Sequence, residues 1–113
     1  MADHIFHPGL TAERWQRLTL AEQLGNVGTG VARATLAKAQ RNDERSSFAL
    51  ARALELFDFT LGDERWRGGR RKEIARAREV VCDFLTGDNE YRSTAESLDA
   101  YFLPFAMAAR QGK

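Results

Sequence analysis

The sequence has few of the residues from which catalytic, metal and disulfide sites are usually built. It contains one cysteine, Cys82, and two histidines, His4 and His7. A single cysteine cannot form a disulfide within the chain, and neither histidine has a cysteine nearby to complete a zinc site. No histidine lies close to Cys82 in sequence, so we interpret it as a small, partly buried side chain rather than a nucleophile. We therefore expect a non-enzymatic protein with no catalytic residues, no cofactor and no metal.

Long apolar runs and an excess of charge of one sign are missing as well. No stretch approaches the roughly 20 apolar residues of a membrane-spanning helix, and residues 1–9 lack the basic and apolar regions of a signal peptide. We therefore expect a cytoplasmic protein with no membrane partner. The chain has 17 basic and 16 acidic residues, for a net charge of +1, so its total charge favours no class of partner. Its 113 residues suit a single domain that can bury a core.

The alternating patterns of strands are absent, whereas apolar residues recur at steps of three and four, as on one face of a helix. The clearest helix covers residues 46–62, and we expect it to form the centre of the fold. Ser46 or Ser47 can cap its start, and Gly62 can end it in the left-handed conformation. Five residues make its apolar face: Leu50, Ala53, Leu54, Phe57 and Leu61.

Capping residues and apolar stripes predict the other helices. A short helix over residues 11–17 begins at Thr11, and a capping box of Thr19 and Glu22 opens the first long helix. A polar loop is expected at 39–45 and a third long helix at about 70–85. A second capping box at 93–96 opens the last helix, in which Pro104 predicts a kink or a restart.

The predicted fold is therefore all-α: an antiparallel bundle of four main helices with a short N-terminal helix. Residues 10–110 are expected to form this single domain. Residues 1–9 are expected to form a flexible arm, and residues 111–113 a frayed C-terminus.

Three glycines lie inside the first long helix, although each costs about 1 kcal/mol there relative to alanine. Gly25 and Gly28 share one helical face with Ala21 and Ala32. A face of such small residues lets another helix approach closely, and that helix belongs either to this chain or to a second copy. We therefore predict these four residues to form an interface. Gly30 points elsewhere and has no predicted role.

A basic cluster lies at residues 65–78, where seven of the fourteen residues are arginine or lysine. Gly68 and Gly69 leave the backbone N–H groups at the start of the third long helix open to an anion, and a tryptophan can stack on a base. The alternative is a solvated arginine face that pairs with acids of neighbouring helices, Asp58 among them. The predicted phosphate or nucleic-acid site consists of Arg65, Trp66, Arg67, Arg70, Arg71 and Lys72.

Four segments carry a resemblance to known proteins. They are WQRLTLAEQLGNVG, ALELFDFTL, REVVCDFLTGDNEY and YFLPFAMAAR, at residues 15–28, 53–61, 78–91 and 101–110. Together they resemble a group of small, uncharacterised prokaryotic helical proteins, over most of the chain after residue 14. The resemblance implies a helical fold, and it brings no activity and no site residues.

These patterns favour a helical interaction module, which forms a homodimer or a subunit of a larger assembly. The first alternative is an accessory protein that binds RNA or DNA through the basic cluster. The second is a small-ligand or metal site in the bundle core. Separately, three carboxylates gather at the polar connection of residues 87–92: Asp83, Asp88 and Glu90. Their spacing does not match an EF-hand, so a solvated loop is the default and a weak divalent site the alternative.

Overall fold

The computed structural model describes residues 9–111, and this part of the chain forms five α-helices and no strand. The helices are α1 (Ala12–Trp15), α2 (Leu20–Ala39), α3 (Asp43–Leu61), α4 (Gly69–Thr86) and α5 (Ala95–Gln111). The prediction of an all-α bundle with four long helices and a short first helix is confirmed. The predicted arm lies outside the described residues except for Gly9, as do His4, His7 and residues 112–113.

The predicted starts of α1 and α2 are confirmed by their capping hydrogen bonds. The hydroxyl of Thr11 accepts from the backbone N–H of Arg14 at 3.1 Å. Thr19 and Glu22 form the reciprocal capping box, in which each side chain accepts from the backbone N–H of the other residue at 3.1 and 2.9 Å. Both caps satisfy N–H groups that have no partner within the helix.

The predicted start of α3 is wrong, while its end at Gly62 is confirmed in position but not in conformation. The helix begins at Asp43, because the side chain of Asn42 caps it by accepting from the backbone N–H of Arg45 at 3.1 Å. Residues 43–45 are therefore helical rather than part of a loop. Ser46 is not a cap but a buried residue, whose hydroxyl donates to the carbonyl of Ala34 on α2 at 3.0 Å. Gly62 has a φ of −80°, so the helix ends there without a left-handed residue.

The start of α5 also differs from its predicted capping box. Thr94 and Ser97 form the reciprocal pair, in which each hydroxyl accepts from the other residue's backbone N–H at 2.9 Å. The pair lies one residue beyond the predicted one, because a serine takes the place usually held by a glutamate. The helix then continues through Pro104 to Gln111 without a restart.

The predicted centre of the fold was α3, but the helix that packs most extensively is α2. It packs most extensively against α3 and α5, and it also contacts α4, which lies mainly against α3. Its buried Leu24, Val27 and Val31 belong to one apolar core. The other helices contribute the larger buried side chains of this core: Trp15, Leu50, Leu56, Phe57, Ile74, Val81, Leu85, Leu98 and Phe102.

Glycines on two sides of α2 explain why it is central. A Cβ atom on Gly28 would lie 2.6 Å from the Cβ of Phe102 on α5, and one on Gly30 would lie 3.1 Å from the Cβ of Ala53 on α3. Gly25 faces α5 in the same way, with 3.4 Å to the Cα of Ala106. Each glycine therefore allows a neighbouring helix to approach α2 closely, including Gly30, which had no predicted role.

The predicted interface on α2 is consequently occupied within the chain at its two glycines. Gly25 and Gly28 face α5 of the same molecule, while Ala21 and Ala32 are half-buried. A second copy could reach these glycines only by displacing α5.

Candidate functional site

Two residues of the predicted nucleic-acid site, Arg65 and Trp66, belong to a polar network whose centre, Gln23 and Asp63, is buried. At its centre, Gln23 of α2 donates to the carboxylate of Asp63 at 2.9 Å and accepts from the indole N–H of Trp66 at 2.9 Å. The side-chain amide of Gln23 also donates to the backbone carbonyl of Trp15 at 2.9 Å. These bonds join α2 to the end of α1 and to the α3–α4 connection.

The carboxylate of Asp63 is buried, with 2% of its side chain exposed, and Arg65 stabilises its charge. Arg65 donates through Nη2 at 2.7 Å and through Nε at 3.1 Å, so that the pair is held by more than one bond. Hydrogen bonding from Arg65 lowers the pKa of the Asp63 carboxyl from its ordinary value of 3.8 to about 2, against the opposing effect of burial. The same guanidinium donates to the carbonyl of Leu18 at 2.7 Å and lies over the Trp66 ring. Both residues therefore act in holding the fold together.

The remaining residues of the predicted site are more exposed. Arg67 pairs with the exposed Glu64 at 2.9 Å, and the guanidinium of Arg70 lies 5.8 Å from the centre of the Trp66 ring. Arg71 and Lys72 are exposed and form no ion pair with any residue between 9 and 111. The structure thus divides the six residues into a structural pair and a group of four at the surface.

Further along α4, the arginines make the contacts expected of a solvated basic face. Arg78 pairs with Asp58 of α3 at 3.0 Å, and 60% of the Asp58 side chain is exposed. Arg76 lies over the ring of Tyr91, whose hydroxyl donates to Glu79 at 2.6 Å. The predicted pairing of this face with acids of a neighbouring helix is found at the first of these contacts.

The start of α4 is an uncapped helix end. Gly68 has a φ of +66°, which a glycine adopts without strain, and no side chain caps the helix. The first turn contains no acidic residue, and it carries Arg70, Arg71 and Lys72. Cations are mildly unfavourable at this end of the helix dipole, so the first turn is a local positive surface that an anion would stabilise.

A larger feature, which we call the α2/α3 groove, lies on the outer side of these two antiparallel helices. Its volume is about 670 Å³. Small buried residues, Ala37 and Ala53, lie along it, while Leu36 and Phe48 at its edges are 59% and 53% exposed. Trp15 closes the groove near the start of α2, where its indole N–H donates to Thr60 of α3 at 2.9 Å.

The rim of the α2/α3 groove is basic. Arg33 of α2 and Arg45 and Arg52 of α3 line it, and no aspartate or glutamate is among its lining residues in the described part of the chain. The guanidinium of Arg52 lies 5.9 Å from the centre of the Phe48 ring, so one rim charge is held beside an exposed aromatic side chain. A cleft lined by charges of one sign concentrates its field toward a partner of the opposite sign.

Sequence patterns did not identify this groove. Leu36 falls outside the apolar stripe of α2, and Phe48 falls outside the stripe of the central helix. Such single apolar residues on a polar face are common at protein surfaces. Only the pairing of α2 with α3 brings the two side chains to the same groove. The available signal was a run of small residues, Gly30, Ala37, Ala49 and Ala53, at helical spacing on both helices.

The other possible sites have simple structural explanations. The Asp83 carboxylate accepts from the backbone N–H groups of Glu90 and Tyr91 at 2.9 and 3.0 Å, and no group of three metal-ligating side chains occurs within residues 9–111. Cys82 is half-buried, and burial raises the pKa of its thiol.

Between α4 and α5, a cleft of about 220 Å³ contains Tyr101, whose buried hydroxyl has no partner among the described residues.

Comparisons with known proteins give this chain no established relative: no family model, no curated protein and no solved structure matches it significantly. The resemblance to small prokaryotic helical proteins therefore stays a prediction. None of the helices between residues 9 and 111 is both long enough and apolar enough to cross a membrane.

Proposed function

We propose that this protein is a non-enzymatic interaction module that binds a protein partner in the α2/α3 groove. The observation that supports the proposal most is the exposure of Leu36 and Phe48 at the two edges of a groove that also contains the small buried residues Ala37 and Ala53. Contiguous apolar surface of this kind marks interaction sites more often than scattered single residues do. Grooves between helices commonly receive the apolar face of a partner helix.

The groove carries this proposal better than the interface predicted from the sequence. That interface centred on Gly25 and Gly28, and α5 now covers both glycines. The face of α2 that contains Leu36 and Arg33 lies beside α3 and is not covered by another helix within residues 9–111. A partner can therefore be received there while the bundle stays intact.

Site-specific photocrosslinking in the native host tests the proposal. We place p-benzoylphenylalanine at Leu36 or Phe48, and at Met107 as the control, because Met107 is an exposed apolar residue on α5. Light-dependent adducts with another protein are expected from the two groove positions and not from the control. Adducts that are equal at all three positions, or absent from both groove positions, would contradict the proposal.

Nucleic-acid binding is a second candidate, supported by the uncapped start of α4. The α4 variant, defined as Arg70→Glu with Arg71→Glu and Lys72→Glu, reverses the charges there and leaves the Asp63–Arg65 pair intact. If the candidate is correct, labelled RNA or DNA should bind the natural protein at low salt, more weakly at high salt, and not bind the α4 variant. Fluorescence anisotropy measures each case. Equal binding by both proteins, or binding by neither, would remove the candidate.

A further inference from the structure

We infer that the partner segment for the α2/α3 groove is an acidic amphipathic helix. This helix would place apolar side chains in the groove and carboxylates along both of its edges. The inference rests on the proposed function and specifies the chemistry of the partner. It is supported by the shape of the groove, by the charge of its rim, and by the poor fit of two other occupants.

The shape of the groove suits a helix. Its lining extends along α2 from Asn26 to Gln40, which corresponds to about 21 Å at the rise of an α-helix. A partner helix of about four turns has the same length and presents one apolar face through residues spaced three and four apart. The protein already uses this arrangement internally, since Gly25 and Gly28 receive α5 on another side of α2. Small residues have the same role in the groove.

The charge of the groove selects an acidic partner. Arg33, Arg45 and Arg52 surround the apolar centre, and no lining residue in the described part of the chain is acidic. A basic partner would bring like charges together as water is excluded, which costs binding free energy. Carboxylates beside an apolar stripe can instead pair with the arginines while the stripe contacts Leu36 and Phe48.

The same charges make two other occupants less suitable. A second copy that used this groove symmetrically would face it with the identical surface, so two sets of three arginines would meet. The chain's own residues 1–8 contain the apolar pair Ile5 and Phe6 but only one acid, Asp3. Neither occupant supplies a row of carboxylates that could pair with the arginines of the rim.

Designed peptides test this inference directly. The acidic probe is a labelled 16-residue peptide with leucines at helical spacing of three and four and glutamates on both sides of them. The matched control peptide has lysine in place of each glutamate. We expect the acidic peptide to bind the natural protein in fluorescence anisotropy about tenfold or more tightly than the lysine peptide.

Two charge variants test whether the preference for the acidic peptide depends on the arginines of the groove. In the groove variant, Arg33→Glu with Arg45→Glu and Arg52→Glu, the preference should reverse toward the lysine peptide. The α4 variant carries the same change in charge outside the groove, so the acidic preference should persist there. Circular dichroism of both variants confirms that each remains folded.

Four results of the peptide assays would overturn the inference. They are no peptide binding, equal binding of both peptides, a preference that the α4 variant abolishes, and binding that appears only after Ile5→Ser with Phe6→Ser. The last result would assign the groove to the chain's own N-terminus. A dimer in sedimentation that Phe48→Glu dissociates would assign it to a second copy and overturn the inference as well. In each case, photocrosslinks at Leu36 and Phe48 still decide the proposed function separately.

Discussion

The buried carboxylate of Asp63 gives the sharpest prediction about stability, tested by Asp63→Asn. The amide has nearly the shape of the carboxyl group, so the surrounding packing is kept. It removes the charge, and it also replaces one accepting oxygen by an NH2 group that faces the donors of Gln23 and Arg65. The folded state holds the pKa of Asp63 at about 2, against an ordinary value of 3.8. At about 1.4 kcal/mol for each pKa unit, the charge stabilises the folded protein by about 2 kcal/mol at pH 7. We therefore expect Asp63→Asn to lower the free energy of unfolding by at least that amount, because the loss of an accepting oxygen adds to the loss of the charge.

The pH dependence follows from the direction of this pKa shift. A carboxyl whose pKa is depressed by folding stabilises the protein above its unfolded pKa, and the contribution is lost as the pH falls through the folded pKa. For Asp63, the contribution is complete above about pH 5 and declines from about pH 4 toward pH 2. At pH 3, about half of this charge contribution should be lost, so the difference between the natural protein and Asp63→Asn should be about 1 kcal/mol smaller than at pH 7.

Asp58→Asn is the matched control, because it also removes one carboxylate from an arginine pair. Asp58 is 60% exposed beside Arg78, and exposed pairs contribute from about 0 to 1 kcal/mol. Urea unfolding followed by the fluorescence of Trp15 and Trp66, both in contact with the network, measures the change in each variant. A loss in Asp63→Asn no greater than that in Asp58→Asn, or one independent of pH, would refute the reasoning.

Two further substitutions test the packing of α5. Gly28→Ala should cost about 1–3 kcal/mol despite the better helix propensity of alanine, because its Cβ would lie 2.6 Å from that of the buried Phe102. Gly69→Ala is the control, with no atom within 4 Å of the added carbon, and an equal loss there would contradict this explanation in urea unfolding. Tyr101→Phe should leave stability unchanged or raise it by up to about 1 kcal/mol, because it removes a buried hydroxyl without a described partner. A calorimetric loss above about 1 kcal/mol would show that the hydroxyl has a partner that stabilises the fold.

The sequence was informative where a local interaction decides the structure. Thr11 and Thr19 cap helices because a hydroxyl at the right position needs only the backbone three residues later. The same rule was ambiguous at α3, where Asn42 and Ser46 are both suitable caps. In the structure, the hydroxyl of Ser46 bonds to α2, and Asn42 caps α3.

The basic cluster shows why a site could not be assigned from composition. Arg65 and Trp66 have the residue types of a nucleic-acid site, and they are adjacent to arginines that remain at the surface. Their actual partners, Asp63 and Gln23, are a neighbour two residues away and a glutamine 43 residues away. The contact with Gln23 depends on where α2 lies in the bundle, which no local pattern specifies.

The surface available to a partner is likewise decided by how the helices pack, which local sequence patterns do not specify. The glycines of α2 indicated a surface that another helix can approach, and the helices that approach it are α5 and α3 of the same chain. These helices cover two sides of α2, and α4 also contacts it, while the exposed Leu36 and Arg33 lie along the groove beside α3. The apolar centre of the groove would favour association of any kind, but its arginines make identical copies repel each other there. The distribution of charge around the groove, rather than its apolar area, therefore argues for a different, acidic partner.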